Sequence, residues 1–229
     1  MRIVTWNCCR RAESSALSAL KSLDPTIACL QEIRAPSDPA NASAWAGRNG
    51  GIGMRIWAKA PLAVTPLPMV AGSPWSIVPY RVDGVSPVTV LHAWTRYEHG
   101  YLRGLDEALT LYADLLTQMP CIVIGDLNAN AKWDSPRKPV DFSRLAYRLG
   151  AQFGLVSAYH AHTGEPFGQE QQPTHYFRRH LDEPFHLDYC FLPYQWVTNL
   201  RHATVMNDGE WPGLSDHRPL VVDVDVAAS

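Results

Sequence analysis

One pattern occurs twice along this chain and narrows its architecture more than any other feature: an apolar run, a helical stripe and a second apolar run, with each run closing on polar residues. In the first copy, Arg2-Ile-Val-Thr-Trp-Asn7 is a strand by its β-branched and aromatic content. Glu13 to Leu23 then carries Ala16, Leu17, Leu20 and Leu23 at helical spacing, and Pro25 closes it before the strand Thr26-Ile-Ala-Cys-Leu-Gln-Glu32. The second copy is Pro87-Val-Thr-Val-Leu-His92, a helix from about Leu102 to Gln118, and the strand Cys121-Ile-Val-Ile-Gly-Asp126. Leu105, Ala108, Leu109, Tyr112, Leu115 and Leu116 share one face of that helix. Strands this apolar need cover on both faces, and each copy supplies helix for only one. Two sheets packed together with helices outside is the economical arrangement.

The remaining segments are shorter. Gly50 to Ala58, Val64 to Val70 and Ser76 to Val82 are candidate strands separated by Pro and Gly. Asp141 to Leu149 is a short helix, and Leu187 to Leu192 and Leu220 to Val226 are the last clear strands. No low-complexity linker divides the halves, so residues 1–229 are expected to form a single domain. A chain 46% hydrophobic and 18% charged, with eight tryptophans, is globular and rich in core. Its formal charge of −2 supplies no global basic field, so any grip on a polyanion must come from a local site. The five cysteines (Cys8, Cys9, Cys29, Cys121, Cys190) make no CxxC pair, and three of them lie in apolar runs, which argues against a disulfide framework. Met1 leads within two residues into a strand, leaving no room for a signal peptide, and no apolar run approaches membrane-spanning length. A cytoplasmic monomer with no membrane partner is the expectation.

The polar strand ends carry the chemistry. Ser215-Asp216-His217-Arg218-Pro219 runs straight into the Leu220 strand, and Pro219 disfavours the helical region for Arg218, so an acid and an imidazole sit together at a sheet rim. Asn7 and Glu32 each follow a strand; together an amide oxygen and a carboxylate suit a hydrated Mg²⁺, while separately they are an ordinary strand-end amide and a surface glutamate. In Gly125-Asp126-Leu127-Asn128 the glycine permits a tight turn that sends Asp126 and Asn128 to one side, although an Asx-rich turn accounts for the same letters. Asp188, near a strand start, either orients the imidazole of His217 or bonds local backbone. His92 is either a donor to a phosphate oxygen or a core histidine. The other histidines, among them His160, His162, His175 and His180, fit no zinc spacing.

Taken in order, Asn7, Gln31-Glu32, His92, Gly125-Asp126-x-Asn128, Leu187-Asp188-Tyr189 and Ser215-Asp216-His217-x-Pro219 resemble the endonuclease/exonuclease/phosphatase superfamily. Its members include pancreatic-type deoxyribonucleases, apurinic endonucleases, deadenylases, neutral sphingomyelinases and inositol-phosphate 5-phosphatases. The resemblance spans residues 4 to 222. It implies an α/β fold, a four-layer α/β/β/α sandwich of two mixed sheets flanked by helices, and Mg²⁺-dependent phosphoester cleavage, with Mn²⁺ as a substitute. Carried over, Glu32 is the principal metal ligand, with Asn7 beside it and Asp216 assisting. His217 paired with Asp188 is a general base or phosphate-protonating group, Asp126 orients or deprotonates the water, and Asn128 and His92 contact the phosphate. Whether His217 or Asp126 takes the proton stays open.

Two departures narrow the subclass. Apurinic endonucleases carry an aspartate where this chain has Cys9, and Asn-x-Tyr where it has His92-Ala-Trp94, which disfavours a base-excision role. For the substrate, the loop Ala131 to Lys138 mixes cations with Trp133; Arg10, Arg11, Arg34, Arg96 and Arg103 follow other site residues, and Trp94, Tyr97 and Trp211 add aromatic faces. Of these, Arg34, Trp94, Arg96, Trp133 and Trp211 are the candidate substrate contacts. Arginines for phosphates and aromatic platforms for bases suit a nucleic acid or nucleotide, though solvated loop cations and loop-packing aromatics have the same composition. The alternatives are a phosphomonoester or phospholipid head group on the same centre, or a non-catalytic interaction module.

Overall fold

The computed structural model describes residues 1–36, 44–48, 51–84 and 86–226. Among them, two six-stranded mixed sheets pack face to face. The first sheet is ordered β13 (Leu200–Val205), β14 (Leu220–Val224), β1 (Arg2–Asn7), β2 (Ile27–Arg34), β4 (Ile52–Ala58) and β3 (Trp45–Gly47). The second is ordered β5 (Ala63–Pro66), β6 (Ile77–Asp83), β7 (Val88–Trp94), β8 (Cys121–Asp126), β12 (Asp188–Pro193) and β9 (Leu155–Ser157). A separate hairpin joins β10 (His175–Tyr176) to β11 (Pro184–Phe185). The repeated pattern of the sequence becomes the parallel pair at the heart of each sheet, β1 with β2 and β7 with β8, while the other neighbours run antiparallel. A parallel pair needs a crossover, and each is supplied by a helical connection.

Strand alternation sorts the apolar residues into three layers of core. Ile3, Ile27, Cys29, Val90, Ile122, Ile124, Cys190 and Val222 meet between the sheets. On the outer face of the first sheet, Val4, Trp6, Ala28 and Leu30 pack with Ala16 and Leu20 of α1 (Glu13–Leu20). On the outer face of the second, Leu91, Val123, Tyr189 and Phe191 pack with residues of α2 (Leu102–Leu111), α3 (Ala113–Gln118) and α4 (Phe142–Phe153). The α/β/β/α layering is therefore present.

Several expected bounds shift. The single helix over 102–118 divides at Tyr112 (φ −101°, ψ 13°), whose hydroxyl accepts from the Val70 backbone N–H at 3.2 Å. The strand expected over 64–70 ends at Pro66, where pairing with β6 stops. Gly50, the first residue of another expected strand, lies outside the described residues. Helix α4 runs on to Phe153, where Gly154 closes it at φ +64°. Strands β3, β9, β10, β11 and β13 and the helix α5 (Ala158–Thr163) were not marked by the sequence pattern.

The same alternation sets out the polar rim. Ile3, Thr5 and Asn7 share one face, as do Cys29 and Gln31, Val90 and His92, Ile124 and Asp126, and Asp188 and Cys190. At one end of the sandwich the space between the sheets thus changes from aliphatic to polar, with Thr5, Asn7, Gln31, His92, Asp126 and Asp188 all buried.

Candidate active site

Two backbone irregularities deliver the acidic groups. Simple alternation would turn Glu32 away from Gln31 and out of the rim. Instead the β2–β4 register shifts between Leu30 and Ile33, and Glu32 takes φ +50°, which breaks the alternation. At the end of β8, Gly125 has φ +142°, and a Cβ there would lie 1.8 Å from the Ala93 carbonyl oxygen, so only glycine fits before Asp126. Asn128 follows at φ +45°, a conformation Asn adopts more readily than most residues.

A continuous set of hydrogen bonds joins the two sheets. Asn7 Nδ2 donates to Asp126 Oδ2 at 2.9 Å and to Glu32 Oε1 at 3.3 Å, while its Oδ1 accepts from the Cys9 backbone N–H at 3.0 Å. Asp126 also accepts from the Asn128 backbone N–H at 2.9 Å and from Asn128 Nδ2 at 3.1 Å. His217 Nδ1 sits 2.8 Å from Asp188 Oδ2, and its Nε2 points at Asp126 Oδ2 4.0 Å away. Asp126, Asp188 and His217 form a buried group whose ligating atoms all lie within 4.8 Å of one another, close enough to hold a metal ion.

The electrostatics follow from burial and neighbours. Burial opposes a charge on His217, but Asp188 and Asp126 outweigh it and raise its pKa above the usual imidazole range. Burial raises Asp126 as well, helped by the charge of Asp188 and opposed by His217 and the amide of Asn7. Asp216 is lowered: burial works against its charge, and nearby His217 and the Cys9 thiol outweigh burial. A centre of three carboxylates around one imidazole favours holding a proton on the imidazole.

Residues without an obvious motif support this geometry. Thr174 Oγ1 accepts from the backbone N–H groups of Leu187 (2.9 Å) and Asp188 (3.0 Å), and its carbonyl accepts from Arg218 N–H at 2.7 Å. One residue thus joins the strand bearing Asp188 to the segment bearing His217. Ser215 Oγ donates to the Asn7 carbonyl (2.8 Å) and accepts from His217 N–H (3.0 Å). His175 lies 4.4 Å from His217, centroid to centroid, and burial with the nearby His217 charge lowers it to about 4. Thr174 had no sequence signal, because its contacts are 13 to 44 residues away.

The other expected residues divide by position. His92 is fully buried; its Nε2 lies 2.7 Å from Gln31 Nε2, and burial lowers it to about 3. As folded it faces Gln31, not open space. Trp211 is not brought to the rim: it is 4% exposed and packs edge-on against Trp6, 5.3 Å between centroids, in the outer core beneath the first sheet. An indole followed by a helical turn, Trp211–Leu214, is more stable buried there than offered to solvent. Arg34 is exposed and donates from Nε to the Arg10 carbonyl at 2.8 Å, bracing the turn after Asn7. Trp133 is 38% exposed, 4.9 Å from Phe185, and lines a cleft of about 690 Å³ with Asn128, Lys138, His175 and Phe185. Trp94 and Arg96 line a second recess of about 290 Å³ with Glu32. Of the expected set, Asn7, Glu32, Asp126, Asn128, Asp188 and His217 are joined through hydrogen bonds or close charge, with Asp216 beside Cys9 and Ser215.

Comparison with known proteins identifies the fold and the family. The chain is similar to the endonuclease domain of TRAS1, a telomere-specific non-LTR retrotransposon (TM-score 0.69, 18% identity, 97% of each chain covered). It is similar also to the 3'-5' exonuclease NExo from Neisseria meningitidis (TM-score 0.69, 16% identity, 99% of this chain and 100% of that one). An AP endonuclease from Archaeoglobus fulgidus aligns with a TM-score of 0.69 at 16% identity, over 99% of this chain and 100% of the other. These likenesses concern the fold. No curated protein matches the sequence. The model of the endonuclease/exonuclease/phosphatase family matches residues 4–217, nearly the full length, and the chain belongs to that family.

Proposed function

We propose that this chain is a Mg²⁺-dependent phosphodiesterase acting on nucleic acid or nucleotides. The observation that carries the proposal is the buried Asp188–His217 pair at 2.8 Å, facing an Asp126 carboxylate that Asn7 ties to Glu32. The donors fit a hard divalent cation: Glu32, Asp126 and Asp216 offer carboxylate oxygens, and Asn7 already bridges two of those acids. Glu32 would hold the ion, with Asn7 and Asp216 beside it. What such an ion supplies when bound is neutralisation of the non-bridging phosphate oxygens and of the departing oxyanion.

The chain's own groups do the rest. Asp188 fixes the imidazole with Nδ1 protonated, which leaves His217 Nε2 directed at the reacting phosphate. Asp126, held by Asn7 and Asn128, orients the attacking water. Asn128 Nδ2, which donates to Asp126 and to the Thr95 carbonyl as folded, would exchange the Thr95 contact to stabilise charge on the phosphate. His92, fully buried against Gln31, packs the floor of the site.

For the substrate, the cleft beside Asn128 presents the half-exposed Trp133 and Phe185 pair, and aromatic faces at a phosphate site suit a nucleobase. Similar structures bear the names of nucleases, and one shows the Neisseria 3' phosphatase bound to a product DNA hairpin. That name keeps a terminal phosphomonoester as the second candidate. DNA, RNA, nucleotides, terminal phosphates and lipid phosphates should be assayed with Mg²⁺, with Mn²⁺ and with EDTA. Turnover of nucleotide esters, abolished by EDTA and lowered about a thousandfold or more in His217→Ala, is expected. Turnover confined to non-nucleotide esters would overturn the substrate class.

A further inference from the structure

The recess beside Glu32 is built unlike the aromatic cleft. The Arg96 guanidinium lies 4.3 Å over the Trp94 ring and 5.3 Å from the Trp75 ring, and the Arg48 guanidinium lies 5.3 Å from Trp75. Trp75 and Trp94 meet edge to face, 6.0 Å apart. Trp94, expected to be a platform for a base, is instead covered by an arginine and only 6% exposed. Stacking engages the face of a guanidinium and leaves its N–H edge for an anion.

That edge is held only by loose ion pairs to Glu98. Among the described residues, neither Arg48 nor Arg96 donates a side-chain hydrogen bond, and the Arg96 Nε is buried without a hydrogen-bond partner. Glu98 Oε1 lies 3.7 Å from Arg48 and 3.6 Å from Arg96, and it accepts from Trp75 Nε1 at 2.8 Å. Arg10 lines the same recess. Its backbone N–H donates to the Glu32 carbonyl at 2.8 Å, which ties this cationic group to the site. Three guanidiniums face two carboxylates here, Glu32 and Glu98.

The geometry points to a second phosphate subsite. The Arg48–Trp75–Arg96–Trp94 stack receives a non-scissile phosphate of the substrate, next to the phosphate under attack, and selects polynucleotides or end-phosphorylated nucleotides over esters with one phosphate. This rests on the phosphoesterase function above. Recognition is one-sided, because the cleft at Asn128 is aromatic and the recess at Glu32 is cationic. Glu98 holds the place of the phosphate until it arrives.

The test is kcat/KM with Mg²⁺ on the thymidine dinucleotides TpT, pTpT and TpTp. One phosphorylated dinucleotide, but not both, should be preferred over TpT by about tenfold at low salt, the size of one charge-assisted contact at a partly exposed site. Raising salt should shrink that ratio. Arg48→Ala and Arg96→Ala should bring it towards one, Arg96→Lys should restore only part of it, and Glu98→Gln should raise it. Equal turnover of the three dinucleotides, a preference that survives both alanine variants, or a parallel loss on all three substrates overturns the subsite. If the wild-type protein cleaves no phosphodiester, bis(p-nitrophenyl) phosphate included, the phosphoesterase function fails instead. Fluorescence anisotropy of oligothymidine with and without a terminal phosphate, in Ca²⁺, then decides the recess alone: tighter binding of the phosphorylated strand that Arg96→Ala abolishes supports it, and equal binding overturns it.

Discussion

Asp188 shows how much a single residue's environment sets its role. Fully buried at the start of β12, it spends one carboxylate oxygen on His217 Nδ1, while its other oxygen is buried without a hydrogen-bond partner among the described residues. A carboxylate kept in such surroundings is held for its charge, since a neutral amide of the same shape would be easier to bury. Asp188→Asn keeps the volume, removes the charge and lets the imidazole adopt either tautomer. We expect kcat to fall by roughly a thousandfold with KM little changed and near-UV circular dichroism preserved. An unchanged kcat would mean that His217 needs no oriented partner. At this scale much was legible: Asp126, Asn128, Asp188 and His217 are read from short motifs because each sits at a strand end, where alternation and a turn determine its direction. Trp211 was not, because an aromatic one turn before the motif looks the same whether it faces solvent or Trp6.

At the scale of elements, the segment between α5 and β10 decides how firmly the Asp188–His217 pair is held. It carries Thr174, and it is anchored by a buried carboxylate: Glu170 lies 3.1 Å from His160 Nε2 and accepts from the Gly168 N–H and from Asn130 Nδ2, each at 3.0 Å. Burial works against the charge of Glu170, but these three contacts outweigh it and lower the carboxyl to about 2. A carboxylate depressed in the folded state contributes stability that is complete above its unfolded pKa, about 4.3, and is lost as pH falls through the folded value. Urea midpoints should therefore drop between about pH 4.5 and pH 2, and Glu170→Gln, less stable at pH 7, should flatten that slope. An identical slope in the variant would remove Glu170 from the anchor. The major strands were legible from periodicity, whereas β3, β9, β10 and β11 have two or three residues each, too few to show a period, and exist because a neighbouring edge accepts them.

Across the whole molecule, the site lies where the two sheets meet. Asn7 and Glu32 come from the first, Asp126 and Asp188 from the second, and His217 from the segment entering β14. A cation held between those acids would staple the sheets together. Mg²⁺ at a hundredfold excess over its Kd would add about 2.7 kcal/mol, raising Tm by roughly 5–10 °C for a domain of this size. Glu32→Gln should abolish that rise, and a rise that survives the substitution would place the ion elsewhere. The repeat alone implied packed sheets, outer helices and polar strand ends, because period-two burial and helical periodicity are local consequences of residue order. Only the tertiary structure decided which rim residues touch. Glu32 turns inward through a bulge set by its pairing with β4, Thr174 links segments distant in sequence, and Trp75, from the segment entering β6, meets Trp94 and Arg96. Residue order determines the side of a strand on which a group lies, and the packing of sheet on sheet determines what stands opposite it.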